Sequence, residues 1–168
     1  MIYAPELLDR LGVLAPQSWE GIVFRHTFGS YLVDRENTVG ARWNPAGVPA
    51  IYTSLAFETA KAEVDYRIAL QPLRPSAERR MHRLQVRLSK VLDLTDWALL
   101  GDLGVDKGSY GEIEPDKCKE VGGAAAELLH LDGIVVPSAR CAGNNLVIYP
   151  TNQGDDYEFT DIDFEVIE

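Results

Sequence analysis

Residues 40–54 read GARWNPAGVPAIYTS. Gly40, Pro45, Gly47 and Pro49 restrict or relax the backbone at set points, and they predict a structured loop that extends back to residue 29. AIYT (50–53) switches to β-branched and aromatic residues and predicts a short strand. Ser54 is an N-cap residue type and predicts the start of a helix running to about Leu70. In that helix Leu55, Ala56, Ala60, Val64 and Ile68 fall near one face. A turn needs the glycines and prolines; it does not need Arg42, Trp43 and Asn44. Those three call for another explanation.

On either side of this passage the pattern is one of short strands. GIVFRHTF (21–28) is rich in β-branched and aromatic residues. HRLQVRLSKVLDL (82–94) alternates Leu84, Val86 and Leu88 with polar neighbours, as a half-buried strand does. GIVVP (133–137) and NLVIYP (145–150) are apolar runs of buried-strand length. Residues 101–117, rich in Gly, Asp and Lys, predict a mobile loop. CKEVGGAAAELLHL (118–131) predicts a second helix weakened by Gly122 and Gly123. The tail (Phe159, Ile162, Phe164, Val166, Ile167) predicts an edge strand. Strands mixed with two separated helices indicate an α+β fold, with small mixed or antiparallel sheets and flanking helices, and not a regular βαβ alternation. Neither GxGxxG nor GxxxxGK[ST] occurs, which disfavours a Rossmann or P-loop site.

With 168 residues, 46% hydrophobic and 25% charged, one domain over 1–168 is expected. No apolar run reaches the length of a membrane-spanning helix. MIYAPELLDR lacks the basic start and apolar core of a secretory signal. Cys118 and Cys141 therefore read as reduced thiols of a cytoplasmic protein, and they lack zinc-site spacing, so no metal is expected.

The net charge of −10 is unevenly placed. Residues 154–168 hold seven acids and no base, while residues 21–90 hold 11 bases and 6 acids. A basic middle attracts anions such as nucleotides. Direct nucleic-acid binding is disfavoured, since the chain is acidic overall and has no long Lys/Arg run. The acidic tail reads as solubilising; the other readings are pairing with the basic region of another subunit, in a homo-oligomer, or shielding a pocket.

Several residues are candidates for chemistry. Arg25 lies in an apolar strand, where it either faces solvent or forks onto a phosphate. Arg42 either binds an anion or forms a surface salt bridge while Trp43 packs inward. Tyr52 either stacks on a planar ring or is buried with its hydroxyl satisfied. Glu63 sits beside the apolar stripe of its helix, at a boundary or aimed into a cleft. Ser138 follows GIVVP, as a turn residue or a hydrogen-bond donor to ligand or carboxylate. It lacks the G-x-S-x-G elbow of a serine hydrolase. His26 adjoins Arg25 and can line the same pocket.

Taken in order, Arg25, GARWN, IYTS, Glu63, VPSAR and GNNLVIYP resemble the RES domain family over roughly residues 20–152. That resemblance implies an ADP-ribosyltransferase-like fold and a toxin that consumes NAD by hydrolysis or phosphorolysis, with NAD as substrate and no cofactor. It implies that Arg25 and Arg42 hold the NAD phosphates, that Tyr52 packs near the nicotinamide or its ribose, that Glu63 is the catalytic carboxylate with Ser138 as the family's catalytic-site serine, and that Asn145 has a supporting role in binding NAD. Ala41 replaces the family's second glycine, and His26 stands where an aromatic Tyr is usual. The implied partner is an Xre-type helix-turn-helix antitoxin. Two other readings stand beside this one: protein ADP-ribosyl transfer from the same pocket, and a nucleotide-binding module without catalysis.

Overall fold

A computed structural model describes residues 1–112 and 116–168. The elements run α1 (Pro5–Gly12), β1 (Gln17–Phe28), β2 (Ile51–Ser54), α2 (Phe57–Ala69), β3 (Arg79–Asp93), α3 (Trp97–Asp102), α4 (Asp116–Glu127), β4 (Gly133–Pro137), β5 (Asn144–Ile148) and β6 (Glu158–Ile167). The fold mixes helices with one six-stranded sheet, in place of the small separate sheets expected.

The strand order is β1-β2-β5-β4-β3-β6, and β1 also pairs with β3. The pairings therefore form a circuit, closed where Phe24 meets Ser54. Among the described residues only β3 and β4 run parallel, through Val91–Asp93 and Gly133–Val135. Two cores follow from side-chain alternation. Inside the circuit lie Val23, Ile51, Leu84, Val86, Leu88, Val135, Leu146 and Ile148. Outside it, Ala50, Ile134, Val136, Val147 and Tyr149 pack with Leu7 and Leu11 of α1 and Val121, Ala124 and Ala125 of α4.

The paired glycines of α4 have a packing reason. A Cβ on Gly122 would stand 1.8 Å from the Trp43 carbonyl oxygen, and one on Gly123 would stand 2.3 Å from the Tyr3 hydroxyl. Their missing side chains let α4 approach the GARWN loop and the segment before α1 closely. Trp43 is 2% exposed and Tyr149 Oη donates to its carbonyl at 3.0 Å, so the loop is anchored from within.

Several expectations are corrected. Ser54 is not an N-cap: it ends β2, its hydroxyl donates to Asn145 Oδ1 at 2.7 Å, and α2 starts at Phe57 without a side-chain cap. The helix after residue 115 ends at Glu127, and the chain then turns through His130 at a positive φ. The stretch 101–117 is not simply a loop. It completes α3, forms a 3-10 turn at Lys107–Ser109 and buries Tyr110; residues 113–115 lie outside the described residues. α1 had no counterpart in the sequence reading.

The tail is an edge strand, as expected, but it does more than solubilise. Asp163 pairs with Arg83 at 2.7 Å, Glu158 with Arg87 at 3.2 Å, and Asp161 with His82 at 3.0 Å, all across the β3–β6 ladder. The acidic end thus neutralises part of the basic middle within one chain. Both cysteines are free thiols. Among the described residues no helix is long and apolar enough to cross a membrane.

Candidate active site

Two chain segments meet at Glu63. Its helix, α2, follows β2 directly, and β2 pairs with β5, bringing Asn145 opposite Ser54. The β4–β5 connection is closed by Ser138 N–H donating to the Gly143 carbonyl at 2.8 Å. That connection lies against α2: a Cβ on Gly143 would stand 2.1 Å from Thr59 Oγ1, one turn before Glu63. Only glycine permits this approach.

The carboxylate is held through a single oxygen. Ser138 Oγ donates to Glu63 Oε1 at 2.6 Å, and Asn145 Nδ2 donates to the same atom at 3.0 Å. Each donor is itself oriented. Ser138 Oγ accepts from the Arg140 amide at 3.1 Å, and Asn145 Oδ1 accepts from Ser54. Among the described residues Oε2 makes no hydrogen bond within the protein. One face of a fixed carboxylate is thereby left for a ligand.

Arg42 lies in the loop before β2, and Tyr52 in β2 itself. Tyr52 Oη donates to Asn44 Oδ1 at 2.6 Å and accepts from the Trp43 amide at 2.9 Å. Burial holds its hydroxyl far above the usual tyrosine range. Its hydroxyl is thus satisfied, which was one of the two readings of Tyr52. Arg42 donates to the carbonyls of Tyr110 and, at 3.1 Å, Glu112, and stacks over the Tyr110 ring at 5.0 Å. Two of its five N–H groups are so used. Tyr110 Oη in turn donates to the Pro137 carbonyl at 2.5 Å, the residue before Ser138. Tyr110 therefore links the Arg42 loop to the Glu63 cluster.

Arg25 is tied to the backbone of the Tyr52 strand. Nη1 donates to the Tyr52 carbonyl and Nη2 to the Arg35 carbonyl, each at 2.8 Å, while Nε is buried with no partner. Burial, and then the nearby Arg67, lower its pKa to about 10. A desolvated guanidinium with an unmet donor is an anion-seeking group. His26 is not brought to this set. Successive strand residues point to opposite faces, and His26 Nε2 accepts from Arg79 Nε at 3.1 Å, on the side where Arg79 also pairs with Asp65. Burial, with Arg79 and Arg67 adding to it, lowers its pKa to about 4, so it is neutral near pH 7.

Sequence reasoning missed Tyr110, Ser54, Thr59 and Arg140. Tyr110 was hidden in a stretch read as a loop, although an aromatic among Gly and Asp is itself a sign of anchoring. Arg140 belonged to the quoted VPSAR but was given no role. A cavity of about 460 Å³, lined by Trp19, Leu55, Val135 and Asn144 among others, is separate from this set: none of Glu63, Ser138, Asn145, Arg25, Arg42 and Tyr52 lines it.

The RES domain family matches residues 13–165, reaching beyond the 20–152 stretch at both ends. Proteins named NAD(+) phosphorylase MbcT, from Mycobacterium tuberculosis and Mycobacterium bovis, are 29% identical over 153 residues, covering 85% of this chain and 81% of theirs. The crystal structure of the M. tuberculosis MbcT–MbcA toxin–antitoxin complex holds a chain of the same fold, with a TM-score of 0.84 and 23% identity. The alignment covers 98% of this chain and 93% of that one.

Proposed function

The chain belongs to the RES domain family, and on that premise we propose that it is a toxin enzyme that degrades NAD by cleaving the nicotinamide–ribose bond. The observation that carries this reading is Glu63, a carboxylate fixed through Oε1 by Ser138 and Asn145. The nicotinamide ring of NAD is cationic. When its bond to ribose breaks, the electron pair stays with nicotinamide, which leaves neutral and needs no general acid. The ribose left behind develops oxocarbenium charge, and a pre-oriented carboxylate stabilises that charge without having to reorganise. Ser138 and Asn145 are positioning residues for Glu63. Arg25 and Arg42 hold the pyrophosphate, through the N–H groups that their carbonyl contacts leave free. Tyr52 fixes the loop that carries Arg42.

The relatives named NAD(+) phosphorylase favour inorganic phosphate over water as the acceptor. The fold is taken to be of the ADP-ribosyltransferase kind. An antitoxin of the Xre helix-turn-helix type is the proposed partner, acting in the cytoplasm; a structural neighbour is known in a toxin–antitoxin complex.

The test is product analysis by mass spectrometry after incubation with NAD, with and without phosphate. The reading expects nicotinamide in equimolar amount with an ADP-ribose phosphate ester when phosphate is present. Absence of nicotinamide release under both conditions overturns it. Label from NAD retained on a protein assigns the site to ADP-ribosyl transfer instead.

A further inference from the structure

Resting on the NAD-phosphorolysis reading, we propose that Arg140 is the residue that binds the attacking inorganic phosphate and so selects phosphate over water. Its guanidinium carbon lies 3.4 Å from the centroid of the Tyr66 ring. Glu63 and Tyr66 are three residues apart on α2 and are therefore neighbours on one helix face. The cation is thus stacked on a ring one helical turn from the carboxylate. Its own backbone reinforces that placement, since the Arg140 amide donates to Ser138 Oγ, the same oxygen that donates to Glu63.

Stacking sets the orientation of the group. A guanidinium lying flat on an aromatic face keeps its N–H donors in the plane, turned away from the ring, where a tetrahedral oxyanion can meet two of them. Nη1 is braced by the Gly111 carbonyl at 3.0 Å, which limits rotation about the ring normal. Arg25 and Arg42 are differently employed. Each uses both terminal nitrogens on main-chain carbonyls, Arg25 on those of Tyr52 and Arg35 and Arg42 on those of Tyr110 and Glu112. The cation beside Ser138 is Arg140. NAD binding and phosphate binding then fall to separate arginines, Arg42 and Arg140 being braced side by side on the carbonyls of Tyr110, Gly111 and Glu112.

The balance of the step is simple. A lone pair on a phosphate oxygen forms a bond to the anomeric carbon of the ribose as the carbon–nitrogen bond breaks, and that bonding pair leaves with nicotinamide. Hydrogen phosphate carries its remaining proton into the ester. Arg140 supplies positive charge to an anion that must approach Glu63, a carboxylate that would otherwise repel it. Water has no such need, so loss of the cation penalises phosphate selectively.

The test is steady-state kinetics of Arg140→Ala and Arg140→Lys against phosphate and against NAD, with products identified. In Arg140→Ala the KM for phosphate is expected to rise about tenfold or more, as loss of a charge-assisted pair implies. The product mixture shifts from the phosphate ester towards ADP-ribose, and the KM for NAD stays within about threefold. Arg140→Lys, which keeps the charge but not the fork or the stack, is expected to recover part of the phosphate dependence. An unchanged KM for phosphate overturns the proposal. So does an equal rise in both KM values, which would assign Arg140 to NAD. If the wild-type protein releases no nicotinamide in any buffer, the function itself fails, and that outcome is distinct from either.

Discussion

Ser138 Oγ donates to Glu63 Oε1 at 2.6 Å across 75 positions of sequence. This bond joins the β4–β5 connection to α2, and it couples the shape of a loop to the orientation of a carboxylate. Ser138 is 8% exposed, so the bond is shielded from competing water. In Ser138→Ala the carboxylate loses its shortest donor. Loss of a hydrogen bond to a charged group costs about 1.5–3 kcal/mol, and NAD turnover is expected to fall about tenfold to hundredfold in kcat. The KM for NAD should change little, because the serine acts on the carboxylate and not on the substrate. A change confined to KM would show that Ser138 binds NAD directly.

Arg42 leads to the opposite expectation. It lies in the loop fixed by Trp43 and Asn44, and its guanidinium already has carbonyl partners that hold it in place. Arg42→Ala should raise the KM for NAD by about tenfold or more while kcat falls less, which is the signature of lost substrate binding. Tyr110→Phe should show a milder form of the same defect, since it removes the bond to Pro137 but keeps the ring under Arg42. Steady-state kinetics on both variants checks this.

His26 gives a pH dependence of stability. Its folded pKa, about 4, lies below the ordinary 6.5. Between those values the unfolded chain binds a proton that the folded chain does not, so stability falls as pH drops from about 6.5 to about 4 and is flat above. Thermal melts over this range should show the slope. His26→Gln, which keeps an acceptor for Arg79, should flatten it. An equal slope in the variant would place its origin elsewhere.

Much of the site was legible because its residues violate the rules for their surroundings. Arg42, Trp43 and Asn44 exceed what a turn requires, and Glu63 intrudes beside an apolar stripe. The strands were legible from composition and alternation, and the edge position of the tail likewise. Sheet closure was not, because a single pair, Phe24 with Ser54, leaves no trace in the pattern of either strand. Ser54 misled for a physical reason: the hydroxyl that suits an N-cap equally suits a side-chain amide, and β5 supplies one in Asn145. The pairing of the acidic tail with β3 was also beyond reach, since charge complementarity does not say which copy of the chain it acts within. Gly122 and Gly123 counted against a helix on propensity alone, and tertiary contact outweighed propensity.

That contest can be measured. Gly122→Ala gains about 1 kcal/mol of helix propensity, yet the new Cβ would stand 1.8 Å from the Trp43 carbonyl oxygen and 2.9 Å from the Tyr149 hydroxyl. Backbone cannot yield as a side-chain tip can, and overpacking of this kind costs about 3 kcal/mol or more. Denaturant or thermal unfolding should show a large net loss of stability. Gly12→Ala is the control, with nothing within 4 Å of the added carbon.

The central claim is that Glu63 carries the chemistry, and Glu63→Gln tests it most directly. The glutamine keeps the size of the side chain and an oxygen acceptor for Ser138 and Asn145, but removes the negative charge that stabilises the developing cation. Nicotinamide release from NAD should fall at least about a thousandfold in kcat, with the melting temperature nearly unchanged and NAD binding retained by calorimetry. Nicotinamide release at the wild-type rate in Glu63→Gln would contradict the account.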